Sequence, residues 1–155
     1  MVFDLARIDD IPALVDLLAL LFAQEAEFTP EREAQVRGLT KIISDESTGF
    51  ILVARDGGRI VGMVNILFTV STALGERVGL LEDMVVSFEG RGSGTGSMLL
   101  AKALETAGDK GCRRMTLLTD ADNDGAHRFY ERSGFTKSSM VAFRKMLSDS
   151  KSRAL

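Results

Sequence analysis

Apolar positions along this chain follow two different periods, and the change from one to the other marks out its elements. Val2 to Ile8 has the make-up of a first strand. Ile11, Leu14, Val15, Leu18, Leu21 and Phe22 then recur at intervals of three and four, the spacing that lines one face of a helix. Asp9 or Asp10 is placed to cap that helix, and Pro12 falls in its first turn, where a missing N–H is tolerated. Thr29-Pro30 signals the start of a second helix, with Thr29 as cap and Pro30 at the first helical position. Val36, Leu39, Ile42 and Ile43 form its buried side.

From Phe50 the pattern changes. Phe50 to Arg55 and Arg59 to Val70 are rich in Ile, Val, Leu and Phe, and they flank Asp56-Gly57-Gly58. Glycines supply the positive φ of a tight turn, so the segment predicts a hairpin. Both faces of these strands are apolar, which predicts a sheet covered on both sides. A further strand is expected from about Arg77 to Ser87, followed by a glycine-rich turn and a helix to about Gly108. A strand from Arg113 to Thr119, a helix from about Asn123 to Arg132 and a last strand from roughly Phe135 to Met146 complete the series. No internal repeat or linker interrupts it, so residues 1–147 are expected to form one domain. The polar tail 148–155 is expected to fray.

Composition narrows the class. A chain of 155 residues with 45% apolar and 26% charged residues suits a single globular domain. A net charge of −3 exerts no general pull toward nucleic acid or an anionic membrane, and neither is expected as a partner. The apolar stretch from Ile11 to Ala23 contains Pro12 and Asp16 and is too short to span a bilayer. The opening Met1-Val2-Phe3-Asp4 lacks the layout of a signal peptide. The lone Cys112 excludes an internal disulfide and is expected to be a buried, inert thiol in a reducing cytoplasm. With one His and one Cys far apart, no metal site is expected.

The informative segment is Arg91-Gly92-Ser93-Gly94-Thr95-Gly96-Ser97, where a strand passes into a helix. Glycines allow an anion close to the backbone, and the first helical N–H groups lack partners and carry partial positive charge. Leu99, Leu100, Ala103, Leu104 and Ala107 continue as an amphipathic helix. A flexible connection would also use such a sequence. A dinucleotide fingerprint fits poorly, because Ser97 stands where its third glycine belongs, and a P-loop needs a lysine that does not follow Gly96.

The turn resembles the acetyl-CoA pyrophosphate loop of the GNAT superfamily of N-acetyltransferases, Arg/Gln-x-x-Gly-x-Gly/Ala, with Arg91, Gly94 and Gly96 in those places. About thirty residues on, Asn123-Asp124-Gly125-Ala126-His127-Arg128-Phe129-Tyr130-Glu131-Arg132-Ser133-Gly134-Phe135 is similar to the family's N-x-x-A-x-x-F-Y-x-x-x-G-F signature. The resemblance covers about residues 1–146. It implies an α/β (α+β) domain with a mixed, mostly antiparallel central sheet, helices on both faces and the order β-α-α-β-β-β-α-β-α-β. The chain departs from the family at Phe88, where proline is frequent, at Gly90, where a bulky residue is usual, and at Thr95, where an aliphatic residue is usual.

The resemblance further implies transfer of an acetyl group from acetyl-CoA to a primary amine, by direct attack through a tetrahedral intermediate. Arg91, Gly92, Ser93, Gly94, Thr95, Gly96 and Ser97 would hold the pyrophosphate, and Met84, Val85 and Val86 would lie along the pantetheine arm. A bulge near Asp83 would splay the strand from its neighbour, freeing backbone groups to pair with that arm. The Met84 N–H would stabilise the oxyanion. Asn123 would bond pantetheine amides, although an N-cap role explains it equally well. Tyr130, the only tyrosine, stands at the family's general-acid position, and with an ordinary pKa of about 10 it is protonated at neutral pH.

Glu82 leads the candidates for general base, with Asp83 and Glu27 as alternatives; His127 reads as a surface or packing residue. Glu25 and Glu27, with Glu82 and Asp83, would form an acidic mouth for a small cationic amine. The Leu81-Glu82-Asp83-x-x-Val86 run is similar to the diamine and polyamine branch of the family. The resemblance also implies a homodimer. A module of the same fold that binds acyl-CoA as a sensor and transfers nothing is the alternative, and an interaction domain sharing only the fold is another.

Overall fold

The hairpin at Asp56-Gly57-Gly58-Arg59 is the seed from which the sheet extends in both directions. The computed structural model describes residues 1–24 and 31–147. In it β2 (Gly49–Asp56) and β3 (Arg59–Ser71) pair antiparallel, with Asp56 opposite Arg59. β1 (Val2–Leu5) adds antiparallel to β2, and β4 (Glu76–Val86) adds antiparallel to β3. β5 (Met115–Leu117) then joins β4 in parallel, giving the order β1-β2-β3-β4-β5. The helices are α1 (Ile11–Gln24), α2 (Arg32–Ser44), α3 (Thr95–Asp109) and α4 (Asp124–Arg132).

Alternation along the strands explains why they read as apolar throughout. Ile51, Val53, Met63 and Val85 face one side and pack with Leu14, Leu18 and Leu39 of α1 and α2. Phe50, Leu52, Val64, Ile66 and Leu81 face the other and pack with Leu99, Leu100 and Ala103 of α3. Each side chain points opposite to its neighbour, so a sheet with helices on both faces needs both sets to be apolar. Among the described residues no helix is long and apolar enough to cross a membrane.

Two expectations change and a third falls on residues that are not described. The first strand ends at Leu5 rather than Ile8, because Ile8–Asp10 curls into a 3-10 turn as the Arg7 N–H donates to Asp10 Oδ2 at 2.8 Å. The expected helix start at Thr29-Pro30 lies outside the described residues; the described part of α2 runs from Arg32 with Glu31 in the cap position. The last strand, Phe135 to Met146, does not form: no ladder among the described residues includes this segment, and β5 remains at the end of the sheet. Its alternation supplies strand propensity but not a strand partner.

An ion cluster fastens the start of the chain to the sheet. Arg55 of β2 grips Asp10 with two parallel bonds, Nη1 to Oδ1 at 3.0 Å and Nη2 to Oδ2 at 2.7 Å, while its Nε donates to Asp4 Oδ1 at 2.8 Å. The Arg55 hydrogen bonds hold the Asp10 carboxyl below its ordinary range, against the opposing effect of burial. Removing one partner of such a pair strands the other charge. Asp10→Ala should therefore destabilise the fold at neutral pH by about 3 kcal/mol in urea melts. A carboxyl with a depressed folded pKa contributes its stability above its unfolded value, here 3.8, and loses it as pH falls through the folded one. The gap between wild type and variant should accordingly narrow below that pH.

Candidate active site

The loop between β4 and α3 is held open by its own side chains. Gly94 occupies the N-cap of α3 with φ +79°, a left-handed conformation that glycine adopts without the Cβ penalty. No atom lies within 4 Å of where a Cβ on Gly92 or Gly94 would stand, so the backbone there is accessible. Ser93 Oγ donates to Gly90 O at 3.2 Å and shares a 2.9 Å hydrogen bond with Thr95 Oγ1, drawing both hydroxyls inward. Arg91 Nε donates to Val86 O at 3.0 Å and its guanidinium lies 4.3 Å from the centre of the Phe88 ring. The result is a depression of about 230 Å³ lined by Val86, Arg91, Gly92, Gly94, Thr95, Gly96 and Ser97, with Gly90 and the Phe129 ring.

β4 changes the direction of its backbone donors part-way along. Asn65 and Ile66 of β3 stand opposite Asp83 and Leu81, so Glu82 is the extra residue of a bulge. Before it, the Gly79 N–H donates to Arg114 O on the β5 side; after it, the Ser87 N–H donates to Val61 O on the β3 side. Both are odd positions, and alternation then directs the N–H groups of Met84 and Val86 away from β3. Pairing with β5 ends at Leu81–Leu117, so these two amides face a gap rather than a strand. Val85 points its side chain into the core on the α1–α2 face.

α4 brings Tyr130 to the same face of the sheet as Met84. Asn123 Oδ1 accepts the Ala126 N–H at 3.1 Å, so it does serve as N-cap. Gly134, at φ +95°, reverses the chain after the helix and lets the Phe135 N–H reach Tyr130 O at 3.0 Å. The tyrosine ring is thereby held edge-on between Phe129 (5.2 Å) and Phe135 (5.7 Å). Burial pushes its hydroxyl up to about 12, so the proton is retained at any physiological pH. His127 turns away, its Nε2 lying 2.9 Å from Asp120 O.

The two carboxylates at the bulge differ. Glu82 is exposed. Asp83 shares the side of β4 that Val85 presents to α1 and α2, and its Oδ2 accepts from Asn65 Nδ2 at 3.0 Å. Burial raises its pKa to about 6, the Asn65 bond opposes that rise and the Glu82 charge adds to it. Asn65, 3% exposed in the middle of β3, keeps this carboxyl from being a lone buried polar group.

Residues 12–135 match the model of the acetyltransferase (GNAT) family. The chain belongs to that family. It is 30% identical over 142 residues to an aminoalkylphosphonate N-acetyltransferase of Salmonella typhimurium, a match covering 92% of this chain and 88% of that protein. YhfO of Bacillus subtilis, an uncharacterized N-acetyltransferase, is 29% identical over 76% of this chain and 80% of its own length. Among solved structures, an integron cassette protein from the Cole Harbour Salt Marsh metagenome superposes with a TM-score of 0.82 at 26% identity, covering 95% of this chain and 91% of its own.

Within this GNAT domain the departures at the loop have local causes. A Cβ on Gly90 would come within 2.8 Å of the Val86 side chain, so no bulky residue fits. Thr95 is buried and spends its hydroxyl on Ser93, and Phe88 offers Arg91 a ring to lie on. Val86, Arg91, Gly92, Gly94, Thr95, Gly96 and Ser97 thus line one depression, Met84 and Tyr130 pack against the core cluster on the same face of the sheet, and Ser93 and Asn123 brace the loop and the helix. Glu25 and Glu27 lie outside the described residues. Asn65 was not anticipated; the signal for it was a single amide inside the apolar run Val61 to Phe68.

Raising an Asp pKa above its unfolded value means that the folded state prefers the protonated form, and stability is lost as pH rises from 3.8 through about 6. Replacing Asp83 by Asn removes that loss. Asp83→Asn should be more stable than wild type at pH 8, by up to about 3 kcal/mol, and no more stable at pH 4. Urea melts at the two pH values measure the difference.

Proposed function

We propose that this GNAT domain is an acetyl-CoA-dependent N-acetyltransferase acting on a primary amine, with a small cationic amine as acceptor. The observation that carries the reading is the pair of outward-facing amides at Met84 and Val86, opened by the bulge and continuous with the Arg91–Ser97 cradle. Gly92 and Gly94 leave room for the diphosphate of acetyl-CoA, and the N-terminus of α3 supplies unpartnered N–H donors. Acetyl-CoA supplies the thioester-activated acetyl group. The Met84 N–H is the donor for its carbonyl oxygen as negative charge builds there, and the Val86 N–H anchors the pantetheine arm. Tyr130 holds a proton that its hydroxyl delivers to the departing sulfur.

Two carboxylates compete to take the amine's proton. Asp83 is favoured over Glu82: it is fixed by Asn65, and with a pKa near 6 it is both ionised at neutral pH and basic enough to act. Glu82, exposed beside it, contributes negative charge that attracts a cationic acceptor and raises Asp83. Relatives named for an aminoalkylphosphonate and an aminoglycoside support an amine of small size. The lone, partly buried Cys112, whose thiol burial pushes up, suits a reducing cytoplasm.

Three variants test this reading once an accepted amine is found by following thiol release. Gly94→Glu places a charged side chain at a left-handed position in the cradle, and calorimetry on the folded variant should show acetyl-CoA binding largely lost. Tyr130→Phe should keep acetyl-CoA affinity and lower kcat by about 10²-fold or more. An unchanged kcat, with chemistry limiting, would remove Tyr130 from the acid role. The rate of wild type should fall below pH about 6 as Asp83 protonates. Asp83→Asn should abolish that limb together with most activity, while Glu82→Gln, by removing a neighbouring negative charge, should move it to lower pH. A wild-type acidic limb that Glu82→Gln erases would return the base role to Glu82.

A further inference from the structure

The short turn that leads into the cradle carries a side chain left idle by the chemistry proposed above. Phe88–Gly90 is a 3-10 turn, closed by the Gly90 N–H donating to Ser87 O at 3.0 Å and the Arg91 N–H donating to Phe88 O at 3.3 Å. At three residues per turn, positions three apart stand one above the other, so Phe88 and Arg91 share a side. The Arg91 guanidinium accordingly lies over the Phe88 ring. Gly90 is buried, and a Cβ there would meet Val61 and Val86, so the turn is pressed onto the sheet. Because Arg91 lines the depression, the stacked pair is fixed at its rim.

Only one face of the Phe88 ring is covered, and the residue is 69% exposed. A single exposed apolar residue needs no explanation. A ring backed by a cation beside an anion cradle is a more particular surface, since it joins an open π-face to positive charge. Glu89, next in the chain, pairs with Arg59 at 3.2 Å and so leaves Arg91 its charge. Arg91 spends Nε on Val86 O, and its two terminal nitrogens make no hydrogen bond among the described residues.

Resting on the acetyl-CoA reading above, we infer that the open face of Phe88 is the platform on which the adenine ring of acetyl-CoA stacks, with Arg91 backing the phenyl ring from the other side. Adenosine is joined to the diphosphate through its ribose. With the diphosphate in the cradle, the base stands within one ribose of the rim that Phe88 occupies. Stacking there takes apolar surface of both rings out of water. The platform is a property of this chain, because the proline frequent in the family at position 88 has no aromatic face.

Two ligands separate the base from the rest: acetyl-CoA, and S-acetyl-pantetheine 4′-diphosphate, which keeps the thioester arm and the diphosphate but lacks adenosine. Calorimetry should show Phe88→Ala weakening acetyl-CoA by roughly 10-fold, the size of one base–aromatic stack, and leaving the truncated ligand within about twofold. The chain contains no tryptophan, so Phe88→Trp installs a single reporter. Its fluorescence should be quenched by acetyl-CoA and not by the truncated ligand, and this variant decides if Phe88→Ala does not fold. Equal losses for the two ligands in Phe88→Ala, or no loss for either, overturn the inference, as does Phe88→Trp fluorescence that acetyl-CoA leaves unchanged. In each of those cases wild type still binds acetyl-CoA and the cofactor reading stands. A wild type that binds neither ligand overturns that reading and the platform with it.

Discussion

A strand offers hydrogen bonds alternately to its two sides, and β4 must serve different neighbours at its two ends. Near Gly79 the odd-numbered donors go to β5; near Ser87 they go to β3. The two halves can coexist in one strand only if one residue is inserted between them, and Glu82 is that residue. The outward-facing amides and the covered carboxylate both follow from this parity change. Without it the amides of Met84 and Val86 would face β3, and Asp83 would not stand opposite Asn65.

Cradle and gap are continuous because Val86 belongs to both. Its side chain lines the loop depression, its carbonyl receives Arg91 and its N–H faces the space that β5 vacates. Tyr130 reaches this region by a separate route, through the cap at Asn123, the reversal at Gly134 and the clamp of Phe129 and Phe135. In this chain these residues in and around α4 fix the orientation of the Tyr130 ring. Asparagine starts the helix, glycine ends it, and the two phenylalanines hold the ring from either side.

Sequence patterns revealed what depends on near neighbours. The helical faces of α1 and α3, the hairpin at Gly57-Gly58 and the strand-to-helix turn from Arg91 to Ser97 are written in contiguous residues, and as local structure they stand as read. Features that depend on distant partners were less legible. Asp83 and Asn65 are eighteen positions apart, and only the register of β3 against β4 brings them together. Nothing local in Glu82-Asp83 says which carboxyl is covered and which is exposed. The same limit explains the segment after Phe135: its composition is that of a strand, but alternation does not say where the neighbouring strand comes from.

The hydrogen bonds within the Arg91–Ser97 turn have a further consequence. Arg91 is tied to Val86, and Ser93 to Gly90 and Thr95, by contacts within the chain. These bonds restrict the turn, so part of the entropic cost of ordering it falls on folding. For the binding role proposed above, a restricted turn would lower the cost of ordering the protein around the anion.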